Sequence, residues 1–339
     1  MPISRRTMLA LLASAPVLAS CGVGGSSPGE GKSVRVAFQN FADSTLLVKD
    51  QQTLEKALPD HKITWTAFDS GASINTAFLG GAIDLAVIGS SPAAAGLCPP
   101  LKIPYQVIEL LNVIGDSEAL VVRKATGITK ISELAGRKIA APFSSTAHYS
   151  LLAALELAGV DAGSVTLVDL EPQNIQAAWQ RGDIDAAYVW TPVLSVLQQD
   201  GVTLTDSAKL AASGKPTLTF TVARKEFLDG NADVVDKWLA ATNDAIKLIK
   251  TDPAKVAAAV SRQIGIGEAD ALAQLKQNIY LDHDEQRGPD YFGTSAAPGK
   301  LANRLRDTAE FLSAQKKVEQ VPDLATFQAA LRAPGGGRG

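Results

Sequence analysis

Apolar and polar positions along the chain cycle with two periods, one of strands and one of helices. Val34-Arg-Val-Ala-Phe38 alternates with period two and predicts a strand. A polar turn over 39–44 leads into a helix through Leu58, and 62–68 predicts the next strand. Asp69-Ser-Gly-Ala-Ser73 opens a helix that delivers an apolar strand over 85–88, which ends at Gly89-Ser-Ser-Pro92. The same order then returns: a strand over 138–141, its turn over 142–148, a helix over 149–159 stopped by Gly159, and a strand over 165–170. A helix and a strand over 175–189 follow and end at Trp190-Thr191-Pro192. Strands alternating with helices predict an α/β fold with mostly parallel sheets flanked by helices.

The order repeats because the residues do. Ile74, Ala77, Gly81, Ile83, Asp84 and Ala86 recur 101 positions later as Ile175, Ala178, Gly182, Ile184, Asp185 and Ala187. In each copy a helix stops at Gly, and an Ile-Asp step leads into a strand. Two blocks at one offset predict two lobes built alike with a ligand cleft between them. The segment 107–122 leaves lobe one for lobe two, and the alternating Thr217-Leu-Thr-Phe-Thr-Val222 is placed to return. These two crossings define a hinge. Lobe one is expected over 33–118 and 220–332, and lobe two over 119–219. Helices over 234–250, 253–264, 268–278 and 300–315 are expected to pack on lobe one.

The N-terminus adds a destination. Arg5-Arg6 precede an apolar run from Met8 to Ala19, and no acid occurs before Glu30. This predicts a signal peptide over 1–20, too short to span a membrane once mature, with the twin arginines compatible with either export route. Leu18-Ala-Ser-Cys21 resembles the bacterial lipobox, which makes Cys21 a lipidation site, and the Gly/Ser-rich run to Lys32 is a flexible tether. With Cys21 acylated, Cys98 is left alone as a small buried apolar residue. No Cys-x-x-Cys or paired-His spacing supports a metal. Losing 1–20 removes two arginines and no acid, so the net charge of −3 becomes −5. No basic cluster invites nucleic acid. The Gly-rich end over 333–339 is expected to be a disordered tail.

Ligands of open α/β sheets bind beyond the carboxyl ends of the strands. That rule selects 39–40, 69–73 and 89–91 in one lobe, and 144–149, 172–173 and 190–191 in the other. Two of these segments open helices, whose free N–H groups and positive dipole end attract anions. Catalytic chemistry has little support. Gly25-Ser-Ser-Pro-Gly29 fits a hydrolase pattern but lies in the tether before any strand. His61 and His283 are expected to be solvated at element edges, and His148 beside Ser144 and Ser145 leaves a Ser-His pair conceivable.

At these segments the chain resembles the solute-binding lipoproteins of bacterial ABC importers, and most of all the taurine-binding branch of the sulfonate/nitrate/thiamine-precursor group. The matching blocks include Phe68-Asp-Ser-Gly-Ala-Ser-Ile74, Ser117-Glu-Ala-Leu-Val-Val122, Pro142-Phe-Ser-Ser-Thr-Ala-His148, Gly182-Asp-Ile-Asp-Ala-Ala-Tyr-Val-Trp-Thr-Pro192 and Leu204-Thr-Asp-Ser207. The resemblance implies a two-lobe type II binding-protein fold, no cofactor, a monomer, and delivery of a small sulfonate to a permease with its ATPase. It also implies an exported protein, lipid-anchored outside the cytoplasmic membrane or in the periplasm. Alkanesulfonates, sulfate esters or nitrate are alternative ligands, and an enzyme of the thiamine-precursor type is an alternative on the same fold. The implied site comprises Gln39, Ser70, Gly71, Ser73, Ser91, Thr146 and His148 around the anion, Trp190 on the carbon stem, and Glu118 or Asp206 for an ammonium. Ala147 departs from the pattern, since a hydroxyl residue would be usual before His148; Asp116 and Thr191 depart as well.

Overall fold

The computed structural model describes residues 32–334. The expected signal peptide, Cys21 and residues 335–339 lie outside them. Lys32 opens a strand rather than ending a tether, pairing with His61. At the other end Ala333 packs on the core and Pro334 is buried, so these two do not belong to a free tail.

Among the described residues, eleven strands form two sheets. In chain order they are β1 (Lys32–Gln39), β2 (His61–Phe68), β3 (Leu85–Gly89), β4 (Tyr105–Val113), β5 (Glu118–Arg123), β6 (Lys138–Ala141), β7 (Thr166–Asp169), β8 (Ala186–Trp190), β9 (Gly201–Asp206), β10 (Leu218–Arg224) and β11 (Ile279–Tyr280). One sheet runs β11-β4-β10-β3-β1-β2, the other β7-β6-β8-β5-β9. The strands of the alternating units pair in parallel, β1 with β2 and β3, and β6 with β7 and β8. The remaining pairings, through β10, β4, β5, β9 and β11, are antiparallel, so each sheet is mixed. The reason lies in the crossings: a strand that enters a sheet from the neighbouring sheet runs opposite to those fed by helical crossovers. The chain leaves the first sheet at Val113 and enters the second at Glu118, and it returns between Asp206 and Leu218. The Leu204-Thr-Asp-Ser207 block is the end of the edge strand β9 and the first residue of a helix, and the return crossing follows it.

The repeat is visible as hydrogen bonding. Asp84 Oδ2 accepts the Arg35 N–H, and Asp185 Oδ2 accepts the Lys138 N–H, each at 2.9 Å. Both aspartates therefore bind a backbone N–H of the strand beside their own, at its fourth residue in β1 and at its first in β6, which explains why the Ile-Asp step recurs. Registers agree too: Val36 pairs with Leu85 and Ile139 with Ala186, positions equivalent in the repeat.

Strand side chains alternate between faces. Leu85 and Val87 join one apolar cluster, with helices Ser44–Asp50, Ala232–Thr251 and Pro253–Ile264. Ala86 and Ile88 join another, with helices Gly71–Leu79, Ser90–Leu97 and Leu301–Ala314. The later helices thus cover the first sheet, as the pattern anticipates. The helix expected through Leu58 is broken: Gln52 takes left-handed backbone (φ 52°) between Ser44–Asp50 and Thr53–Ala57. The helix Ser90–Leu97 was hidden by its composition of Ser, Pro, Ala and Gly, and every residue of it is buried.

Neither edge histidine is solvated. His283 Nε2 lies 2.9 Å from the fully buried Glu109, and both ring nitrogens of His61 are buried without a partner.

Candidate functional site

The carboxyl ends of β1 and β3 face those of β6 and β8 across a cavity that residues of both sheets line. Its walls include Gln39, Phe41, Gly71, Gly89 and Thr219 from the side of the six-stranded sheet, and Glu118, Ser145, Thr146, Trp190 and Thr191 from the other. Asn112, Ser117 and Asn278 line it near the first crossing. No Lys or Arg occurs among the described residues that line it.

Two helices aim their N-termini at this space. Ser70 caps Gly71–Leu79 in a capping box with Ser73, and Ser145 caps Thr146–Leu157. First-turn N–H groups of a helix have no partner within it, so they remain available to an anion. Gly71 is needed for packing, because a Cβ there would lie 2.3 Å from Pro92 Cγ. Gly89 brings the two sides together: a Cβ on it would lie 2.6 Å from Thr146 Cγ2 across the cleft.

Glu118 is the charged group of the cavity. It is 1 % exposed, and its carboxylate accepts hydrogen bonds from Thr146 Oγ1 (2.6 Å), Ser207 Oγ (2.9 Å) and Ser150 Oγ (3.3 Å). Burial pushes its pKa up to about 7, against the pull of the three hydroxyls. Thr146 and Glu118 were expected apart, one at each end of a ligand; here the threonine hydroxyl is given to the carboxylate.

Gln39, Gly71, Glu118, Thr146 and Trp190 line the cavity, whereas Ser70, Ser73, Ser91, His148 and Asp206 are not among its walls. The Ser70 hydroxyl donates to Glu171 Oε1 at 2.8 Å, and Ser73 Oγ donates to the Ser70 carbonyl. Ser91 Oγ is buried with no partner. Asp206 caps the helix Ser207–Ala212 and pairs with Lys209 Nζ at 2.9 Å. His148 lies two residues beyond Thr146, about 200° around the helix, and so faces away. Its Nδ1 accepts the Ser144 N–H and its ring stacks on Phe143 at 4.3 Å. Burial and nearby Lys317 lower its pKa to about 4, so the ring is neutral. No serine hydroxyl bonds to that ring, and the conceivable Ser-His pair is not formed.

Asn112, Thr219 and Asn278 were missed. Thr219 was legible in principle: it pairs with Gly89 as Glu118 pairs with Trp190, so it occupies the position of the repeat equivalent to Glu118. Asn278 carries no local signal, because it reaches the cavity from a segment far along the chain.

Residues 32–264 match the family model described as the substrate binding domain of an ABC-type glycine betaine transport system. The taurine-binding periplasmic protein of Escherichia coli (strain K12) is 37% identical over 324 residues, covering 94% of each chain. Among solved structures, the alkanesulfonate-binding protein SsuA from Xanthomonas axonopodis pv. citri bound to MOPS superposes with a TM-score of 0.74 at 22% identity, covering 90% of this chain and 99% of that one. The desulfurization enzyme DSZB shares the fold at a TM-score of 0.62 and 16% identity, over 90% and 97% of the two chains. The chain belongs to the family of ABC-transporter substrate-binding domains. It is a solute-binding protein of the periplasmic binding protein fold.

Proposed function

We propose that the protein is exported and captures taurine, 2-aminoethanesulfonate, between its two sheets for delivery to an ABC permease and its ATPase. The observation that carries this is the single buried carboxylate, Glu118, in a cavity otherwise lined by neutral donors and apolar groups. A sulfonate needs donors only, and the helix N-termini at Gly71 and Thr146 offer them. An ammonium would cost several kcal/mol to bury without a counter-charge, which Glu118 supplies. Trp190 and Phe41 offer apolar surface to the two-carbon stem. The likeness to a taurine-binding periplasmic protein supports the same ligand and the same side of the membrane. Binding rather than turnover is supported by the neutral His148, which is turned away from the cavity with no serine hydroxyl on its ring. The protein acts as a monomer whose sheets form two lobes that close on the ligand. Leu18-Ala-Ser-Cys21 and the Gly/Ser run behind it support a lipid anchor at Cys21.

Calorimetry with taurine, ethanesulfonate, β-alanine, sulfate and nitrate tests the reading. Taurine should bind tightest, at one per chain, with ethanesulfonate weaker for lack of the ammonium and β-alanine weaker because a planar carboxylate replaces the sulfonate. Tighter binding of ethanesulfonate, sulfate or nitrate would overturn it. Mass spectrometry should return taurine unchanged, and its consumption would instead identify an enzyme.

A further inference from the structure

We infer that Asn278 is a positioning residue for the ligand: its side-chain carbonyl clamps the first crossing between the sheets and thereby fixes where Glu118 sits. The inference rests on the reading of Glu118 as the partner of an ammonium.

One oxygen receives two donors from a single short bridge. The Gly115 N–H donates to Asn278 Oδ1 at 3.0 Å and the Ser117 hydroxyl donates to the same atom at 2.6 Å. Both lone pairs of that carbonyl are thus used by the four residues that join β4 to β5. The approach is so close that a Cβ on Gly115 would lie 1.9 Å from the Gln277 carbonyl oxygen, so a side chain there would push the two backbones apart. The bridge is fixed to little else. Its Ile114 N–H donates to the Thr217 carbonyl of the returning crossing at 2.9 Å, and its Ser117 carbonyl accepts the Thr191 N–H at 2.9 Å. Asn278 immediately precedes β11, which pairs with Val113 and Asn112 at the end of β4, so the clamp is anchored in the six-stranded sheet.

Glu118 follows Ser117 directly but belongs to the other sheet, paired with Trp190. Ser117, Glu118, Trp190, Thr191 and Asn278 all line the cavity. The clamp therefore decides how far the carboxylate and the tryptophan stand from the wall formed by the first sheet. Loss of the clamp should spoil the ammonium end of the site more than the sulfonate end, which is set by helix N-termini that the bridge does not touch.

The test is calorimetry of taurine and ethanesulfonate on Asn278→Ala, Ser117→Ala, the double variant, Gly115→Ala and Glu118→Gln. Asn278→Ala should lower the taurine-to-ethanesulfonate affinity ratio by roughly tenfold, the scale of one disturbed charge-assisted hydrogen bond. Ser117→Ala should lower it less, since the Gly115 N–H keeps its acceptor. The double variant should be no worse than Asn278→Ala, because the two residues share one bond. Gly115→Ala should lower the ratio by forcing the bridge away. An unchanged ratio in Asn278→Ala, or additive losses in the double variant, would overturn the clamp. If Asn278→Ala does not fold, Ser117→Ala and Gly115→Ala decide by the same ratio, and no change in either overturns it. Glu118→Gln separates the two ideas. A taurine-selective loss there beside an unchanged ratio in Asn278→Ala defeats the clamp alone; equal losses for both ligands in Glu118→Gln defeat the reading, and the clamp with it.

Discussion

Glu118 begins β5 with its carboxylate surrounded by three hydroxyls and no cation, and two expectations follow from that setting. Replacing it by Gln should weaken taurine by roughly 2–5 kcal/mol, the usual cost of truncating one side of a buried charge pair, and should leave ethanesulfonate nearly unchanged. The second concerns pH. The side chain titrates from an ordinary value of 4.5 to about 7 in the folded protein, so the native state holds the proton more tightly than the unfolded chain. Its contribution to stability is fully present below the unfolded value and is lost as pH rises through the folded one, roughly 3 kcal/mol over the window at about 1.4 kcal/mol per unit. Urea titrations at several pH values should show that slope in the wild type relative to Glu118→Gln. Taurine should reverse the preference, because an ammonium favours the ionised carboxylate. Binding at pH 6 should release a proton, and affinity should fall by up to about tenfold per unit below pH 7. Equal apparent binding enthalpies in buffers of different ionisation heat would exclude that release.

Between elements, the cleft is bridged at its mouth by the caps of the two repeated helices: Ser70 caps Gly71–Leu79 and Glu171 precedes Pro172–Arg181. Glu171 makes no capping bond to its own helix, so Glu171→Ala removes the bridge without uncapping anything. Dissociation of the ligand should quicken by a factor of about 2–10, the worth of one net hydrogen bond, as stopped-flow Trp fluorescence would report. Gly89→Ala should act more strongly. Its backbone is ordinary (φ −72°), but the added methyl meets Thr146 Cγ2 across the cleft, so affinity should fall while the melting temperature stays near wild type. The elements behind these predictions were largely legible. Period-two strands, Gly stops and the Ile-Asp steps announced the parallel units, because each is a local device whose partner lies within the same unit. The antiparallel partners β10 and β5 were legible only as crossings, since their sheet neighbours are set by tertiary return of the chain. Site residues followed the same divide. Gln39 and Trp190, strand ends picked by the carboxyl-end rule, line the cavity, whereas His148 does not, because two residues along a helix reverse the facing side. Asn278 and Asn112 stayed hidden because nothing near them in sequence marks a ligand.

For the whole molecule, Cys21→Ala should move the protein from the membrane fraction to the soluble exported fraction, as fractionation and immunoblotting would show; unchanged retention would rule out the lipobox. Within the described residues, the repeat bears on the two sides of the cavity. Equivalent positions of the two halves line it: Gly89 pairs with Thr219 in one sheet as Trp190 pairs with Glu118 in the other. A dimer of identical halves would have to place the same residue at both addresses, which suits a ligand with two like ends. A small neutral pair now stands on one side, and an aromatic ring with an acid on the other. That asymmetry between copies would suit a ligand with two unlike ends. Exchanging residues at these four positions should shift the preference from one small anion to another while both sheets stay as they are.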